Sequence, residues 1–224
     1  MRDQFSQKVF LSLKMPTEDV PISDQKRIQL AMEALGYKNV VFPLPVLRKL
    51  YPMCRDAEFD ITVTVVHRES DWVITNVEPG DTRQYHYGLA VDYGSTTIVM
   101  QLVDLNSGSV VGEEKALNGQ TIYGTDILNR ITFSLETPSH VDELQRVTIE
   151  TFEELLCNLT ESTGIDAANC SIMIVSGNTT MIHFLLKLNA WTVFASPFAP
   201  VSSDPGFFWG SELGMAFIGM VYII

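Results

Sequence analysis

Asp92-Tyr93-Gly94-Ser95-Thr96-Thr97 places a carboxylate, a glycine and three consecutive hydroxyls side by side. That set suits a phosphate and a divalent cation. Backbone N–H groups must approach phosphate oxygens closely, which favours glycine and small residues. The hydroxyls of Ser95, Thr96 and Thr97 add donors with little bulk. A carboxylate such as Asp92 holds Mg²⁺ directly or through water, because this ion prefers few carboxylates together with phosphate oxygens. The stretch is neither a Walker loop nor a dinucleotide fingerprint. A second candidate is Gly177-Asn178-Thr179. There an apolar run, Ile172 to Val175, enters a glycine turn and a helix start, an arrangement that faces anions and ligands in open α/β sheets. Each candidate has a plainer alternative. A polar hairpin turn favours the residues of the first, and Asn178 or Thr179 suits a simple helix cap in the second. His183 either points into the site or packs, and no catalytic residue is read.

Strands and helices must hold these turns. Gly88 to Val91 reads as a short buried strand closed by Asp92, and Ile98 to Val103 as its partner, ending at Asp104. Val110 to Ala116 reads as a third strand after the turn Leu105-Asn106-Ser107-Gly108. Asn118-Gly119-Gln120 is a further turn. Tyr123-Gly124-Thr125-Asp126 precedes an apolar stripe at helical spacing: Ile127, Leu128, Ile131 and Leu135. Pro138-Ser139 is expected to break the chain. Val141 to Leu159 then predicts an amphipathic helix of about five turns, with Glu143, Glu150, Glu153 and Glu154 as a solvated face. After the strand at 172–175, a helix is expected over Ile182 to Leu188. Pro197-Phe198-Ala199-Pro200-Val201 reads as a rigid cover.

The earlier residues read as a small α+β module. Val9 to Leu13 alternates as a strand, and Ser23-Asp24 suits the cap of a helix through Ile28, Met32 and Leu35, stopped by Gly36. Pro43 to Tyr51 predicts a short helix ended by Pro52. Ile61 to Val66 pairs with Trp72 to Glu78 as a hairpin. His67 and Trp72 read as surface and packing residues. Pro79-Gly80-Asp81-Thr82 is the best boundary, giving 1–82 as one domain, 83–205 as a second and 206–224 as the start of another.

Composition narrows the function. A formal net charge of −12 argues against a nucleic-acid surface, which rests on clustered Lys and Arg. Cys54, Cys157 and Cys170 are scattered and form no C-x-x-C pair, so no zinc or iron–sulfur site is read. Scattered cysteines of odd number suit a reducing cytoplasm. The opening MRDQFSQKVF has no apolar core of signal-peptide length. The apolar run Gly206 to Ile224 contains Glu212 and lacks a basic flank. It reads as a core segment of a domain cut short, with a membrane anchor disfavoured.

Two resemblances sharpen this. The Asp92–Thr97 turn resembles the phosphate-1 loop of the actin, sugar kinase and Hsp70 superfamily, and the order β-β-β-α-α-β-α is similar to that superfamily's first lobe, with its mixed sheet. GLAVDYGSTTIVMQLVDLNSG, ALNGQTIYGTDILNRI, VSGNTTMIHFLL and ASPFAPV, in that order, resemble the reductive activators of corrinoid proteins. Residues 1–82, closing on Glu78 to Thr82 (EPGDT), resemble that family's linker domain, and 84 to about 205 its middle domain. The resemblance implies an α/β fold: an α+β linker module and the first lobe of an actin-like ATPase. It implies ATP-dependent one-electron reduction of cob(II)amide to cob(I)amide on a corrinoid protein or corrinoid-dependent methyltransferase. Asp92 would place Mg²⁺, and Gly94, Ser95, Thr96 and Thr97 would hold phosphate. Gly177, Asn178 and Thr179 would line the same cleft or its partner-facing side. The family's 2Fe-2S domain and second ATPase lobe have no counterpart here, so the expectation is a piece of the activator that is not competent alone. Two other readings compete: a non-catalytic interaction or dimerisation module, and a small-molecule kinase of the same superfamily.

Overall fold

Val9 and Leu11 are buried and alternate with the less buried Lys8, Phe10 and Ser12, and the structure, a computed structural model describing residues 5–224, places them in strand β1, Ser6–Ser12. The first four residues of the opening run lie outside the described residues. β1 pairs antiparallel with β3, Asp60–Arg68, which hairpins onto β4, Asp71–Pro79. The short β2, Val40–Val41, runs parallel to β4. Helices α1, Asp24–Ala34, and α2, Leu44–Asp56, cover one face of this sheet. Ile28, Met32, Val46, Leu50 and Cys54 pack there on Val9, Leu11, Ile61, Val63 and Ile74. Ser23 caps α1 as expected, accepting from the Lys26 amide at 3.2 Å. Helix α2 runs through Pro52 instead of ending there. Pro52 is exposed, so its lost hydrogen bond lies on the solvent side, while Leu50 and Cys54 bury the opposite face.

The EPGDT segment is fastened to the sheet's other, polar face. Lys8 Nζ, nearly buried, lies 2.8 Å from the Glu78 carboxylate. Thr62 Oγ1 donates to the Gly80 carbonyl at 2.6 Å and accepts from the Thr82 amide at 3.0 Å. Ser6 Oγ and His86 Nε2 lie 3.0 Å apart. The His67 and Trp72 rings pack at a tilt of 37° with centres 4.6 Å apart.

The chain divides between His86 and Tyr87 into two compact units. The second is built on a six-stranded sheet in the order β7-β6-β5-β8-β10-β9. Its strands are β5, Tyr87–Tyr93; β6, Thr97–Asp104; β7, Ser109–Leu117; β8, Cys170–Gly177; β9, Gly206–Trp209; and β10, Met220–Ile223. β5, β6 and β7 form an antiparallel meander, while β8 and β10 run parallel to β5 and to each other. The sheet is therefore mixed, and with its helices it makes an α/β fold. Helices α3, Ile127–Glu136, and α4, Pro138–Thr163, connect β7 to β8. Leu144, Phe152, Leu155 and Leu159 of α4 pack on Leu89, Val91, Met100 and Leu102 of the sheet.

Several local expectations shift. Pro138 begins α4 rather than breaking the chain, because at the first helical position its missing N–H has no partner to lose. The turn at 118–120 opens a 3-10 helix, Gly119–Tyr123. The helix after β8 is α5, Thr179–Leu185, three residues earlier than expected, since Asn178 caps it. A short α6, Trp191–Phe194, follows. The apolar tail supplies β9 and β10, so 206–224 belongs to the sheet of the second unit and not to a further lobe. Among the described residues no helix is long and apolar enough to cross a membrane.

Candidate functional site

Strand pairing brings the two candidate turns together. β5 and β8 run parallel, with Asp92 opposite Ser176 and Tyr93 opposite Gly177. Both strands end there, so Gly94–Thr97 and Gly177–Thr179 emerge side by side from the carboxyl edge of the sheet, where ligands of open α/β sheets bind. The two turns abut closely. A side chain at Gly177 would come 3.0 Å from the Tyr93 carbonyl, and one at Gly94 would come 2.3 Å from the Thr97 carbonyl. Glycine is needed at 94 for space, whereas at 177 a side chain would press on the Tyr93 carbonyl.

Alternation sorts the strand residues. Leu89, Val91 and Tyr93 face the core, which leaves Asp92 exposed on the other face. Its carboxylate has no hydrogen-bond or ion-pair partner among the described residues. The hydroxyls of Ser95, Thr96 and Thr97 also make no hydrogen bonds there. A free carboxylate, free hydroxyls and a glycine cradle fit a Mg²⁺–phosphate ligand, since the ion needs only one or two carboxylates when phosphate oxygens complete its shell. No cluster of three or more His, Cys, Asp or Glu side chains converges among the described residues. Cys54 lies buried in the first unit, and in the second Cys157 is exposed and Cys170 buried.

The second turn has its plainer role as well. Asn178 Oδ1 accepts from the Met181 amide at 3.0 Å, the ordinary cap of α5. His183 packs rather than facing the site. It is fully buried, its Nδ1–H donates to the Thr179 carbonyl at 2.6 Å, and its Nε2 accepts from the Val201 amide at 3.1 Å. These two bonds fix a neutral tautomer and tie the PFAPV loop to α5.

Three buried residues near the turns were not assigned roles from the sequence. Asn118, fully buried, donates from Nδ2 to the Gly94 carbonyl at 2.8 Å, and its amide donates to the Thr96 carbonyl at 2.8 Å. It clamps the first turn. Gln120 Nε2 reaches Tyr93 Oη at 2.9 Å, Thr148 Oγ1 at 2.9 Å and the Leu144 carbonyl at 3.0 Å. Burial drives the Tyr93 hydroxyl far above the ordinary phenol range, so it stays neutral. Arg130, also fully buried, donates from Nε to the Gly124 carbonyl at 2.9 Å and sets Nη1 3.8 Å from Met181 Sδ. The motif ALN…YG.D…RI marked this segment without revealing what its side chains touch. A cavity of about 450 Å³ lined by Phe152, Leu156, Met173, Met215, Phe217 and Ile218 lies elsewhere and contains none of the candidate residues.

Residues 87–224 match the family described as RACo middle region, and residues 2–84 match the RACo linker region. A corrinoid activation enzyme, RamQ, of Eubacterium limosum is 27% identical over 191 residues, covering 76% of this chain and 32% of that protein. The solved structure of a reductive activator for a corrinoid, iron–sulfur protein superposes with a TM-score of 0.89 at 30% identity. That match covers 99% of this chain and 36% of the other. The chain thus spans about a third of the length of these relatives.

Proposed function

The chain belongs to the RACo family, across its linker and middle regions, and from that premise we propose that it is part of an ATP-dependent reductive activator. In this reading the second unit is the first lobe of an actin-like ATPase, and the first unit is the linker that precedes it. The activator reduces a cob(II)amide to a cob(I)amide on a corrinoid protein or corrinoid-dependent methyltransferase. Electrons would come from a 2Fe-2S domain outside this sequence, and a second ATPase lobe outside it would complete the cleft. The observation that carries the reading is the β5–β8 register, which sets Gly94–Thr97 beside Gly177–Thr179 at one sheet edge.

Each residue then has a task. The Asp92 carboxylate holds Mg²⁺, whose bound form neutralises phosphate charge. Ser95, Thr96 and Thr97 donate to phosphate oxygens from the tight turn that Gly94 permits. Gly177 keeps the second turn open, and the backbone of Asn178 and Thr179 lines the cleft while the Asn178 side chain caps α5. The three free cysteines suit a reducing cytoplasm.

The test is spectroscopic. Full-length activator, its corrinoid partner, a low-potential reductant and MgATP are mixed, and the cob(I)amide band is followed. Wild-type activator is expected to form cob(I)amide only with MgATP, and Asp92→Ala to form at least tenfold less. Equal rates with and without nucleotide would overturn the reading.

One observation favours the second reading, an interaction module. β7 is an edge strand of the six-stranded sheet and exposes Val110, Val111 and Leu117. Such an edge invites strand pairing with a second chain. Sedimentation velocity should then give a homodimer that Val111→Lys dissociates, and a monomer at all concentrations would remove this reading.

A further inference from the structure

Arg130 is an expensive residue to keep. Its side chain is fully buried, yet no carboxylate pairs with it among the described residues. Nε serves one carbonyl, Nη1 meets only a thioether sulfur, and Nη2 has no hydrogen-bond partner. Burial lowers its pKa from the ordinary guanidinium range, opposed by the nearby Tyr93 hydroxyl and the Asp126 carboxylate, which forms no ion pair with it. A buried, incompletely satisfied charge destabilises a fold, and an apolar side chain of similar volume in its place is often neutral or stabilising. Such local costs concentrate at functional sites.

The local sequence is arranged to hold this guanidinium. A side chain at Gly124 would stand 2.6 Å from Asn129 Cβ, so only glycine lets the 124 carbonyl face Arg130 across the start of α3. Asp126 caps α3 through the Asn129 amide at 2.8 Å and fixes the helix that carries Arg130. On the other side Met181 sits in the first turn of α5, its amide held by Asn178.

These contacts form a closed path. Asn118 grips the Gly94–Thr97 turn, the 3-10 helix Gly119–Tyr123 leads to Gly124, Arg130 joins Gly124 to Met181, and Met181 joins the Gly177–Thr179 turn. We propose that Arg130 is a positioning residue, a bracket that sets the spacing of the two turns beyond the ends of β5 and β8. Its value for nucleotide rests on the function proposed above; its mechanical role does not. Only arginine's forked, planar head spans both contacts, and a lysine ammonium is a single point.

Arg130→Met removes the charge and donors while keeping the bulk. Hydrogen exchange on the 224-residue chain is expected to quicken at least tenfold at the amides of 94–97 and 177–181. The amides within β5, β6 and β8 should be unaffected, and the thermal midpoint unchanged or raised. In full-length activator the MgATP Kd is expected to rise at least tenfold, and Arg130→Lys should not restore it. Faster exchange confined to 124–130, or unchanged exchange throughout, would overturn the proposal. If neither variant folds, Arg130 is a core structural residue and the proposal is likewise overturned. Should wild-type activator bind no MgATP, the nucleotide reading fails while the exchange data still decide the bracket.

Discussion

Gly94 is held at its position by a neighbour's backbone. Its own φ lies outside the left-handed region, but a Cβ there would sit 2.3 Å from the Thr97 carbonyl. Gly94→Ala must therefore push the turn apart, at an expected cost of about 1–3 kcal/mol, the range for overpacking. Asn118→Ala opens the same turn from the opposite side by stripping a buried donor from the Gly94 carbonyl, and the expected loss is about 1–3 kcal/mol. Urea unfolding of the two single variants and the double variant checks both. Because the two residues act on one turn, the double variant should lose less than the sum. Strict additivity would show that Asn118 supports something other than this turn.

At the scale of elements, α4 holds the second unit's sheet in place. Leu155 is fully buried in the cluster that joins α4 to β5 and β6, so Leu155→Ala should cost about 2–5 kcal/mol by chemical denaturation. A loss under 1 kcal/mol would mean that α4 is not the main cover of this face. This helix also shows what the sequence makes legible. Its apolar spacing announced it, and alternation announced β1 and β3, because periodicity records which face is buried; short apolar runs closed by polar turns announced the β5–β6 hairpin. Helix starts were harder. Pro138 reads as a breaker or as a first helical residue, and only the chain before it decides. The acidic face is exposed at Glu150, Glu153 and Glu154, and Glu153 also accepts from the Ala216 amide at 3.0 Å, a contact 63 residues away that spacing does not show. The candidate turns could be read from local composition. Their adjacency could not, since it depends on parallel pairing between β5 and β8 about eighty residues apart. Asn118, Gln120 and Arg130 were hidden for the same reason: each looks like a turn or surface residue until its distant partners are known.

The whole molecule carries its three thiols in different settings. Burial pushes Cys54 up to about 11 and Cys170 up to about 12, while Cys157 is exposed, with its thiol raised by the Glu161 carboxylate beside it. One thiol should react with a disulfide reagent in the native protein at pH 8, and three after denaturation. The sign of the pH effect follows. Above pH 9 the unfolded chain loses thiol protons that the folded chain keeps, so stability is full below pH 9 and falls as pH rises towards 11 and 12. Denaturant midpoints measured from pH 8 to 11 should decline, and Cys54→Ala with Cys170→Ala should flatten the decline. At this scale the proposed function requires the paired turns to hold a Mg²⁺–nucleotide. Calorimetric titration of MgATP into full-length activator tests it most directly, with wild type beside Asp92→Ala. Saturable binding by wild type, weakened at least a hundredfold in Asp92→Ala while the fold is retained, is the result expected. Equal affinity in the two proteins would contradict it.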